Sequence, residues 1–364
     1  MIRRLPDPNF WVGKKVLITG HSGFKGSWLV IWLHKLGAIV SGISLEPDTA
    51  PNLCSLAGIN NLCSSKFIDI CNIAELNSEI QLIQPEIIIH MAAQPLVRKS
   101  YKEPINTFEI NAMGTANLLE SIRSCDSVRT AIMITTDKVY KNNEDGRLYS
   151  EEDPLGGHDP YSASKAAAEI IIESYKESFL DAKTVSISSA RAGNVIGGGD
   201  WSEDRLIPDM IRSWQNNIML EIRSPEAIRP WQHVLEPLSG YLFLAEDTYF
   251  NIKLSSNYNF GPDKKDIASV KYVIEIARDY LDISNIKYSK SSEGPHEANL
   301  LFLDISKSES ILNFKPRWDI QKSIFKTVNW YKNFYEGHAA LSLCELDIAE
   351  YENINESGNL KVSS

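Results

Sequence analysis

The stretch VLITGHSGFKG, residues 16–26, decides the fold of this 364-residue chain. It begins with a short apolar run, continues with three glycines at a spacing of three, and leads into an almost continuously apolar segment over 28–36. The run predicts a buried strand, and the later segment predicts a buried helix. In such a loop the first glycine allows a tight turn, the second lets the backbone approach a pyrophosphate, and the third lets the helix pack closely. The stretch therefore predicts a phosphate-binding loop between a strand and a helix N-terminus.

Apolar, β-branched runs recur along the first half of the chain and are separated by segments with helical patterns. Uninterrupted apolar strands that alternate with helices are typical of a parallel sheet covered on both faces. The predicted fold class is therefore α/β: a Rossmann-type doubly wound parallel sheet with a smaller, mixed α/β C-terminal substrate domain. The predicted strands lie at 16–19, 38–40, 67–68, 87–90, 131–135 and 184–188.

Beyond residue 190 this regular alternation gives way to short elements rich in Gly, Pro and Trp. We predict a cofactor-binding Rossmann domain over 12–190, joined by about 232–260, and a substrate-binding domain over 191–231 and 261–335. The last stretch, 345–364, is polar and acidic, and it predicts a flexible tail.

The composition argues against several classes of protein. The chain has 47 acidic and 37 basic residues and a net charge of −10, which disfavours nucleic acid as a partner. Its five cysteines form no CxxC pair and have no histidine at ligand spacing, so we expect reduced thiols, no metal site and a cytoplasmic protein. No apolar signal segment follows the first residues, and no apolar run approaches the roughly 18 residues of a membrane span, so we expect no membrane partner.

The glycine loop provides most of the predicted cofactor contacts, which are Gly20, His21, Gly23, Phe24, Lys25 and Gly26. The second predicted strand ends at Ser44, where such folds usually place an acidic residue that binds the adenosine ribose. The missing acid leaves NADP open as an alternative to NAD, because His21 and Ser44 could accommodate a ribose phosphate. Asp69, after the third strand, has the placement to accept a hydrogen bond from the adenine amino group.

Two motifs with catalytic side chains follow later strands. Tyr161 and Lys165 share one face of a predicted helix, and a nearby ammonium favours the phenolate and thus a base at neutral pH. The alternative is a surface Tyr–Lys pair. Thr136, Asp137 and Lys138 directly follow the fifth strand, at the sheet edge where such folds place their chemistry. They offer a hydrogen-bond donor, an acid and a base, although a plain turn with an Asp–Lys ion pair is an equal alternative.

Together these motifs resemble those of the extended short-chain dehydrogenases/reductases that act on nucleotide sugars, the NAD-dependent epimerase/dehydratase family. The resemblance covers 11–330 and includes the segments 90–95, 111–115, 191–201 and 229–237. In that family an acid/base pair after strand five is found in 4,6-dehydratases and is lacking in simple 4-epimerases. Dehydratases of dTDP-glucose carry Thr-Asp-Glu there, whereas those of CDP-glucose carry Thr-Asp-Lys, as this chain does. The resemblance therefore implies a lyase with NAD as cofactor and CDP-glucose as substrate.

The resemblance also implies roles for single residues. Tyr161 would take the proton of the sugar 4-hydroxyl, Lys138 would take the hydrogen on carbon 5, and Asp137 would protonate the departing 6-hydroxyl. Thr136 would hydrogen-bond the 4-oxygen, and Lys165 would hold the nicotinamide ribose. Ala92 is implied as a cofactor contact, and the implied substrate contacts are Gln94, Arg191, Asn194, Arg229 and His296. The two arginines would meet the diphosphate, whereas for His296 an exposed loop histidine is an equal alternative.

Helices at about 104–123 and 161–179 resemble the pair that forms a four-helix bundle in dimers of this family. We therefore expect a homodimer or homotetramer, unless these helices simply cover the sheet. The keto-deoxy sugar produced would feed deoxysugar, O-antigen and lipopolysaccharide synthesis. The alternatives are another nucleotide-sugar dehydratase or epimerase, and a non-catalytic NAD(P)-sensing protein.

Overall fold

The computed structural model describes residues 4–281, 283, 285–289 and 300–353. Its strands are β1 (Lys15–Thr19), β2 (Ile39–Ser44), β3 (Ser64–Phe67), β4 (Ile87–His90), β5 (Thr130–Ile134), β6 (Leu148–Tyr149), β7 (Ser186–Ala192), β8 (Val195–Ile196), β9 (Leu220–Ile222), β10 (Ile228–Arg229), β11 (Gln232–His233), β12 (Asn257–Phe260), β13 (Ala268–Ser269), β14 (Ile286–Tyr288) and β15 (Phe302–Leu303). Seven of them pair in parallel in the order β12-β7-β5-β4-β1-β2-β3. The order reverses at β1, so the crevice beyond the carboxyl ends of β1 and β4 is where a sheet of this kind binds its ligands.

The helices are α1 (Pro8–Trp11), α2 (Phe24–Lys35), α3 (Leu53–Leu56), α4 (Ile73–Ile83), α5 (Val97–Lys102), α6 (Pro104–Phe108), α7 (Gly114–Arg123), α8 (Pro160–Tyr175), α9 (Leu206–Asn216), α10 (Leu235–Phe250), α11 (Val270–Arg278), α12 (Ser306–Leu312), α13 (Ile320–Tyr335) and α14 (Ala340–Glu352). A π-helical turn over Glu109–Met113 joins α6 to α7, and another over Lys176–Leu180 extends α8. No helix of the described residues is long and apolar enough to cross a membrane.

The side chains of β1 alternate between two cores, one on each face of the sheet. Val16 and Ile18 belong to the core that contains the buried residues of α2 and α10. Leu17 belongs to the other core, which contains buried residues of α4, α7 and α8. Burial on both faces explains why these strands are continuously apolar. The predicted doubly wound Rossmann-type sheet is confirmed.

Short paired strands lie outside the main sheet. β8 pairs with β11, β9 with β14, β10 with β13, and β6 with β15. These pairs and the helices around them form the mixed α/β part of the chain. The exact domain boundaries stay a prediction.

Two expectations about elements need correction, and one strand of the sheet has no counterpart among the predicted elements. The sixth predicted strand, 184–188, is displaced, because β7 continues to Ala192 and takes Arg191 into the sheet. A strand at β12, which completes the sheet, was not predicted. The flexible tail is wrong for 345–352, since α14 covers these residues and buries Ile348 and Tyr351. The remainder of that tail, 354–364, lies outside the described residues.

Candidate active site

A cavity of about 400 Å³ lies beyond the carboxyl ends of the central strands. Thr136, Lys138 and Tyr161 line it together, and so do Lys25 from the glycine loop and Asn194 after β7. The cavity extends to β9 and to Arg229 of β10. Side chains from both the large sheet and the smaller mixed region therefore surround one space.

The residues after β5 form a compact hydrogen-bonded cluster at this cavity. A single 3-10 turn over Asp137–Val139 begins at Thr136. The Thr136 hydroxyl donates to Asp137 Oδ1 over 3.0 Å, and Lys138 Nζ lies 3.3 Å from the same oxygen. Asp137 is fully buried, and within the described part of the chain its Oδ2 has no hydrogen-bond partner. Asp137 and Lys138 thus form the predicted ion pair, and they do so beside Tyr161 in the cavity.

Helix α8 places Tyr161 and Lys165 against this cluster. Asp159 caps the helix by accepting from the Ser162 amide at 3.0 Å. Burial raises the pKa of Tyr161, and the charge of Lys138 with a hydrogen bond to Thr136 opposes that rise. Burial lowers the pKa of Lys165 to about 8, and its Nζ donates to the Ile134 carbonyl over 3.1 Å. The cation that chiefly opposes the rise in the Tyr161 pKa is therefore Lys138. The helical spacing had predicted Lys165 for that effect.

The glycine loop has the close packing that a dinucleotide site requires. Gly20 has a φ of +78°, and a Cβ there would lie 2.7 Å from the Ala92 amide nitrogen. A Cβ on Gly26 would lie 2.1 Å from the Gly20 carbonyl oxygen. Gly23 is the N-cap of α2 and offers no side chain to cap the first amides of the helix. Such a loop with an uncapped helix start suits a pyrophosphate.

The neighbouring residues also fit a dinucleotide. Ser44 is buried, and its hydroxyl has no hydrogen-bond partner among the residues described, at the position where the ribose is expected. His21 packs beneath β2, and its Nε2 lies 2.6 Å from Ser65 Oγ. Asp69 follows β3 and accepts from the Cys71 amide at 2.9 Å. The features that best fit a dinucleotide are thus the closely packed glycine loop and, beside it, the Ser44 hydroxyl, which has no hydrogen-bond partner among the described residues.

Lys25 and Phe24 reach further into the site than residues that contact the cofactor only from the glycine loop. Both line the cavity of the catalytic cluster. Burial lowers the pKa of Lys25 to about 7, with further lowering from the charges of Lys165 and Arg205. Lys25 therefore stands close to the groups that would contact both cofactor and sugar.

The five predicted substrate residues have different positions. Asn194 and Arg229 line the cavity, and Asn194 Oδ1 lacks a hydrogen-bond partner in the described structure. Gln94 is buried, and its side chain bonds to Thr107 and to the backbone of Leu96. It therefore holds its own loop and does not line the cavity. His296 lies outside the described residues.

Arg191 is not a diphosphate ligand, and that prediction is wrong. Its guanidinium is buried within the sheet and forms a fork with Glu169 of α8, at 2.9 and 3.0 Å. A third bond, of 2.9 Å, goes to the Tyr140 hydroxyl. Because β7 is longer than predicted, Arg191 lies within the sheet and its side chain is in the interior. There Arg191 connects the sheet to the helix of Tyr161 and Lys165.

Several residues that line the cavity were not predicted from the sequence. Arg205 Nη1 lies 2.8 Å from Asp200 Oδ2, and both side chains line the cavity. Burial opposes ionisation of Asp200, but the charge of Arg205 and bonds from Ser202 lower its pKa. Arg98 and Arg223 also line the cavity. Asp200 and Arg98 lie within or next to segments that carried the resemblance, so that neighbourhood was the available signal.

Comparison with known proteins agrees with this geometry. A model of the GDP-mannose 4,6-dehydratase family matches residues 17–327. The CDP-glucose 4,6-dehydratase of Salmonella typhimurium is 43% identical over 351 residues, which are 95% of this chain and 98% of that protein. The dTDP-D-glucose 4,6-dehydratase of Homo sapiens is 27% identical over 331 residues, covering 88% of this chain and 91% of that one.

Solved structures establish the same fold. The dTDP-glucose 4,6-dehydratase DesIV of Streptomyces venezuelae, with NAD bound, superposes with a TM-score of 0.76 at 23% identity, covering 90% of this chain and 99% of its own. The UDP-glucose 4-epimerase of Thermotoga maritima also reaches a TM-score of 0.76, at 19% identity, with 88% and 99% covered.

Proposed function

Because the chain belongs to the GDP-mannose 4,6-dehydratase family, we propose that it is a CDP-glucose 4,6-dehydratase. It is then a hydro-lyase that converts CDP-D-glucose to CDP-4-keto-6-deoxy-D-glucose and water. The observation that carries the proposal is the Asp137–Lys138 pair beside Thr136 and Tyr161 in one cavity. The 43% identity to a CDP-glucose 4,6-dehydratase along nearly the whole chain supports the choice of nucleotide.

NAD fits the glycine loop, where Gly20, Gly23, Gly26 and the start of α2 would hold its pyrophosphate and Ser44 its ribose. When bound, NAD supplies the hydride acceptor for carbon 4 and the hydride donor for carbon 6. Lys165, fixed by the Ile134 carbonyl, would hold the nicotinamide ribose. The absence of an acid at Ser44 leaves NADP as the alternative.

The chain's own residues account for the proton transfers. Tyr161 takes the proton of the 4-hydroxyl, and Thr136 hydrogen-bonds the oxygen that becomes the 4-ketone. That ketone acidifies the hydrogen on carbon 5. Lys138 removes this hydrogen after passing its own proton to Asp137 across their 3.3 Å contact. Asp137 gives a proton to the 6-oxygen as the bond to carbon 6 breaks, so that water leaves. Lys138 then returns a proton to carbon 5. The proton that Tyr161 took from the 4-hydroxyl passes to the Asp137–Lys138 pair, and this transfer restores the starting protonation states.

Asn194 and Arg229 support the binding of a phosphorylated sugar, since they line the same cavity and present an amide and a guanidinium. We further propose a cytoplasmic homodimer whose product feeds deoxysugar and surface-polysaccharide synthesis. Exposed apolar side chains on α6, on the π-helical turns and on α8 support the dimer.

The test is an incubation of the protein with NAD and, separately, CDP-, dTDP-, UDP- and GDP-glucose, followed by mass spectrometry of the nucleotide sugars. We expect loss of one water from CDP-glucose alone, with no net NADH. Loss of water from another nucleotide sugar would identify that sugar as the substrate in place of CDP-glucose. An epimer of unchanged mass would identify the reaction as an epimerisation. Unchanged sugars throughout would favour a protein that only binds the cofactor.

A further inference from the structure

Asp204 connects two arginines that belong to separate elements. Its Oδ1 lies 3.1 Å from both Nη1 and Nη2 of Arg223, and 3.7 Å from Nε of Arg98. Arg98 lies in α5, which follows β4, whereas Arg223 directly follows β9. All three residues line the cavity that holds Tyr161 and Lys138. A carboxylate of the protein therefore occupies two guanidinium groups inside the proposed substrate site.

The loop that presents Asp204 is held firmly at its centre. The Tyr331 hydroxyl bonds to both the amide and the carbonyl of Asp200, at 2.9 and 2.5 Å. Asp204 itself has a φ of 59°, in the left-handed region that Asp and Asn tolerate better than most residues. Its side chain is 41% exposed, so the carboxylate can leave the arginines for water without a large penalty.

We propose that Arg98 and Arg223 bind the diphosphate of the nucleotide-sugar substrate, and that Asp204 occupies them before it arrives and thereby lowers its affinity. The inference rests on the proposed function and deepens it. A guanidinium offers the same pair of N–H donors to a phosphate as to a carboxylate. A diphosphate at this position must displace Asp204. When only a fraction of the molecules have the arginines available, the apparent affinity for the diphosphate is lowered by that fraction. The remaining negative charge of Asp204 also repels the incoming diphosphate.

The test measures binding without turnover, by calorimetric titration of the full chain with CDP. Asp204→Asn removes the charge and keeps a residue that tolerates the left-handed backbone. We expect this variant to bind CDP roughly three- to tenfold more tightly. Arg223→Gln should weaken binding by a similar factor, and in its background Asp204→Asn should have a smaller effect, since the two residues act through one contact.

Two controls separate this role from a general change in charge or fold. Glu203→Gln removes the same charge one residue away, and it should leave the affinity for CDP unchanged. Cytidine, which has no phosphate, should bind the parent and Asp204→Asn equally. Thermal unfolding by circular dichroism verifies that the variants are folded.

If Asp204→Asn has unchanged or lower affinity for the nucleoside diphosphate that the parent binds, the inference is wrong, whichever nucleotide that is. If the parent binds UDP, dTDP or GDP in place of CDP, the proposed function is wrong. The same comparison with that diphosphate then still decides the role of Asp204, because the diphosphate is common to all four ligands.

Discussion

Lys138 and Asp137 share one hydrogen-bonded contact, yet the proposed reaction uses them on different bonds of the sugar. Replacing Lys138 by Met removes the base for carbon 5 and leaves Tyr161 and Thr136 in place. We expect Lys138→Met to form the 4-ketone more slowly, because Tyr161 loses the charge that lowers its pKa, and to lose water elimination by about 100-fold or more. Trapping with borodeuteride and mass spectrometry distinguishes the oxidised hexose from the dehydrated product. Lys141→Met, at a neighbouring exposed lysine, is the matched control, and near-parental dehydration by Lys138→Met would remove Lys138 from this role.

For substitution of Arg191 we predict a loss of stability and no change in substrate affinity. Arg191→Met leaves the Glu169 carboxylate buried with only the Thr135 and Ser189 hydroxyls as partners. We expect this variant to lose about 3–5 kcal/mol of unfolding free energy, because an uncompensated buried charge is costly. Urea unfolding measures the loss, and the double change with Glu169→Gln should recover part of it.

The same variant separates the two interpretations of Arg191. In the folded fraction, the KM for the nucleotide sugar should stay close to that of the parent. Arg229→Gln, which changes a cavity residue, should raise the KM. A raised KM for Arg191→Met without loss of stability would restore the discarded role as a diphosphate ligand.

The grouping of the proposed catalytic side chains could be predicted from the sequence because each set is local. Tyr161 and Lys165 lie one turn apart on a helix, and Thr136 to Lys138 directly follow a strand, so spacing alone brings them together. Arg191 could not be placed, since its partner Glu169 lies on a different element and the end of β7 decides which way it points. Arg205 pairs with Asp200 across a loop, and no periodic pattern marks such a contact.

Helix α2 depends on the absence of a side chain at Gly26. A Cβ there would lie 2.1 Å from the Gly20 carbonyl oxygen and 2.8 Å from His21 Cα. Gly26→Ala should therefore displace the loop, cost about 1–3 kcal/mol of stability and weaken NAD binding. Thermal unfolding and titration with NAD measure the two effects. Gly23→Ala is the matched comparison: its Cβ would lie 3.4 Å from the nearest atom, so its stability should stay near that of the parent.

A buried carboxyl joins α10 to the last two helices. Burial raises the pKa of Glu236 to about 7, even though it accepts bonds from the Trp318 amide at 2.8 Å and the Tyr351 hydroxyl at 2.8 Å. The unfolded chain releases this proton near pH 4.3. Between these values the folded protein binds one proton more than the unfolded chain, so the stability contributed by Glu236 falls as the pH rises to about 7.

Glu236→Gln cannot titrate, so it isolates this effect. The unfolding free energy of the parent minus that of the variant should fall by up to about 3 kcal/mol between pH 4 and pH 8. Urea unfolding at several pH values measures the difference. Other buried groups, such as Asp347, titrate in both proteins and cancel. A difference that stays constant with pH would show that Glu236 ionises as freely in the folded state as in the unfolded one.

The C-terminal helix shows why element boundaries were harder to predict than the sheet. α14 buries Leu343, Cys344, Ile348 and Tyr351 against the protein, and its acidic residues range from the exposed Glu345 to the buried Asp347. Its mean composition therefore resembles a disordered tail, although its apolar residues recur at helical spacing. Its partners, Trp32 of α2 and Trp318 before α13, lie far away in sequence. Only the folded sheet brings these surfaces together.

Charge is distributed unevenly over the whole molecule. The chain has a net charge of −10, yet its central cavity is lined by cationic side chains from both parts of the fold. These include Lys25, Lys138, Arg205, Arg223 and Arg229. The same cavity is lined by four acidic side chains, Asp200, Asp204, Asp209 and Glu221, so its basic residues leave only a small excess of positive charge. This distribution would repel a polyanion such as nucleic acid and would still suit the proposed small diphosphate. The net charge follows from the composition, whereas the meeting of these charged side chains in one cavity becomes visible only in the fold.

The oligomeric state is the last prediction, and it concerns the helices that carry the catalytic pair. Ile105 of α6, Met113 of the first π-helical turn and Ile170 of α8 are exposed, and these elements pack on one another. Exposed apolar side chains on neighbouring elements are typical of interfaces. If the proposed homodimer forms through these helices, Ile170→Arg should convert it to a monomer in light scattering coupled to gel filtration.

The matched control for this variant is Leu82→Arg on α4, because Leu82 is 76% exposed and Ile170 is 64% exposed. It should leave the dimer intact, since it introduces the same charge away from α6 and α8. Equal masses for the parent and Ile170→Arg would mean that these helices only cover the sheet. If the dimer does dissociate, kcat should fall together with it, because Tyr161 and Lys165 lie on the helix that the partner would hold in place.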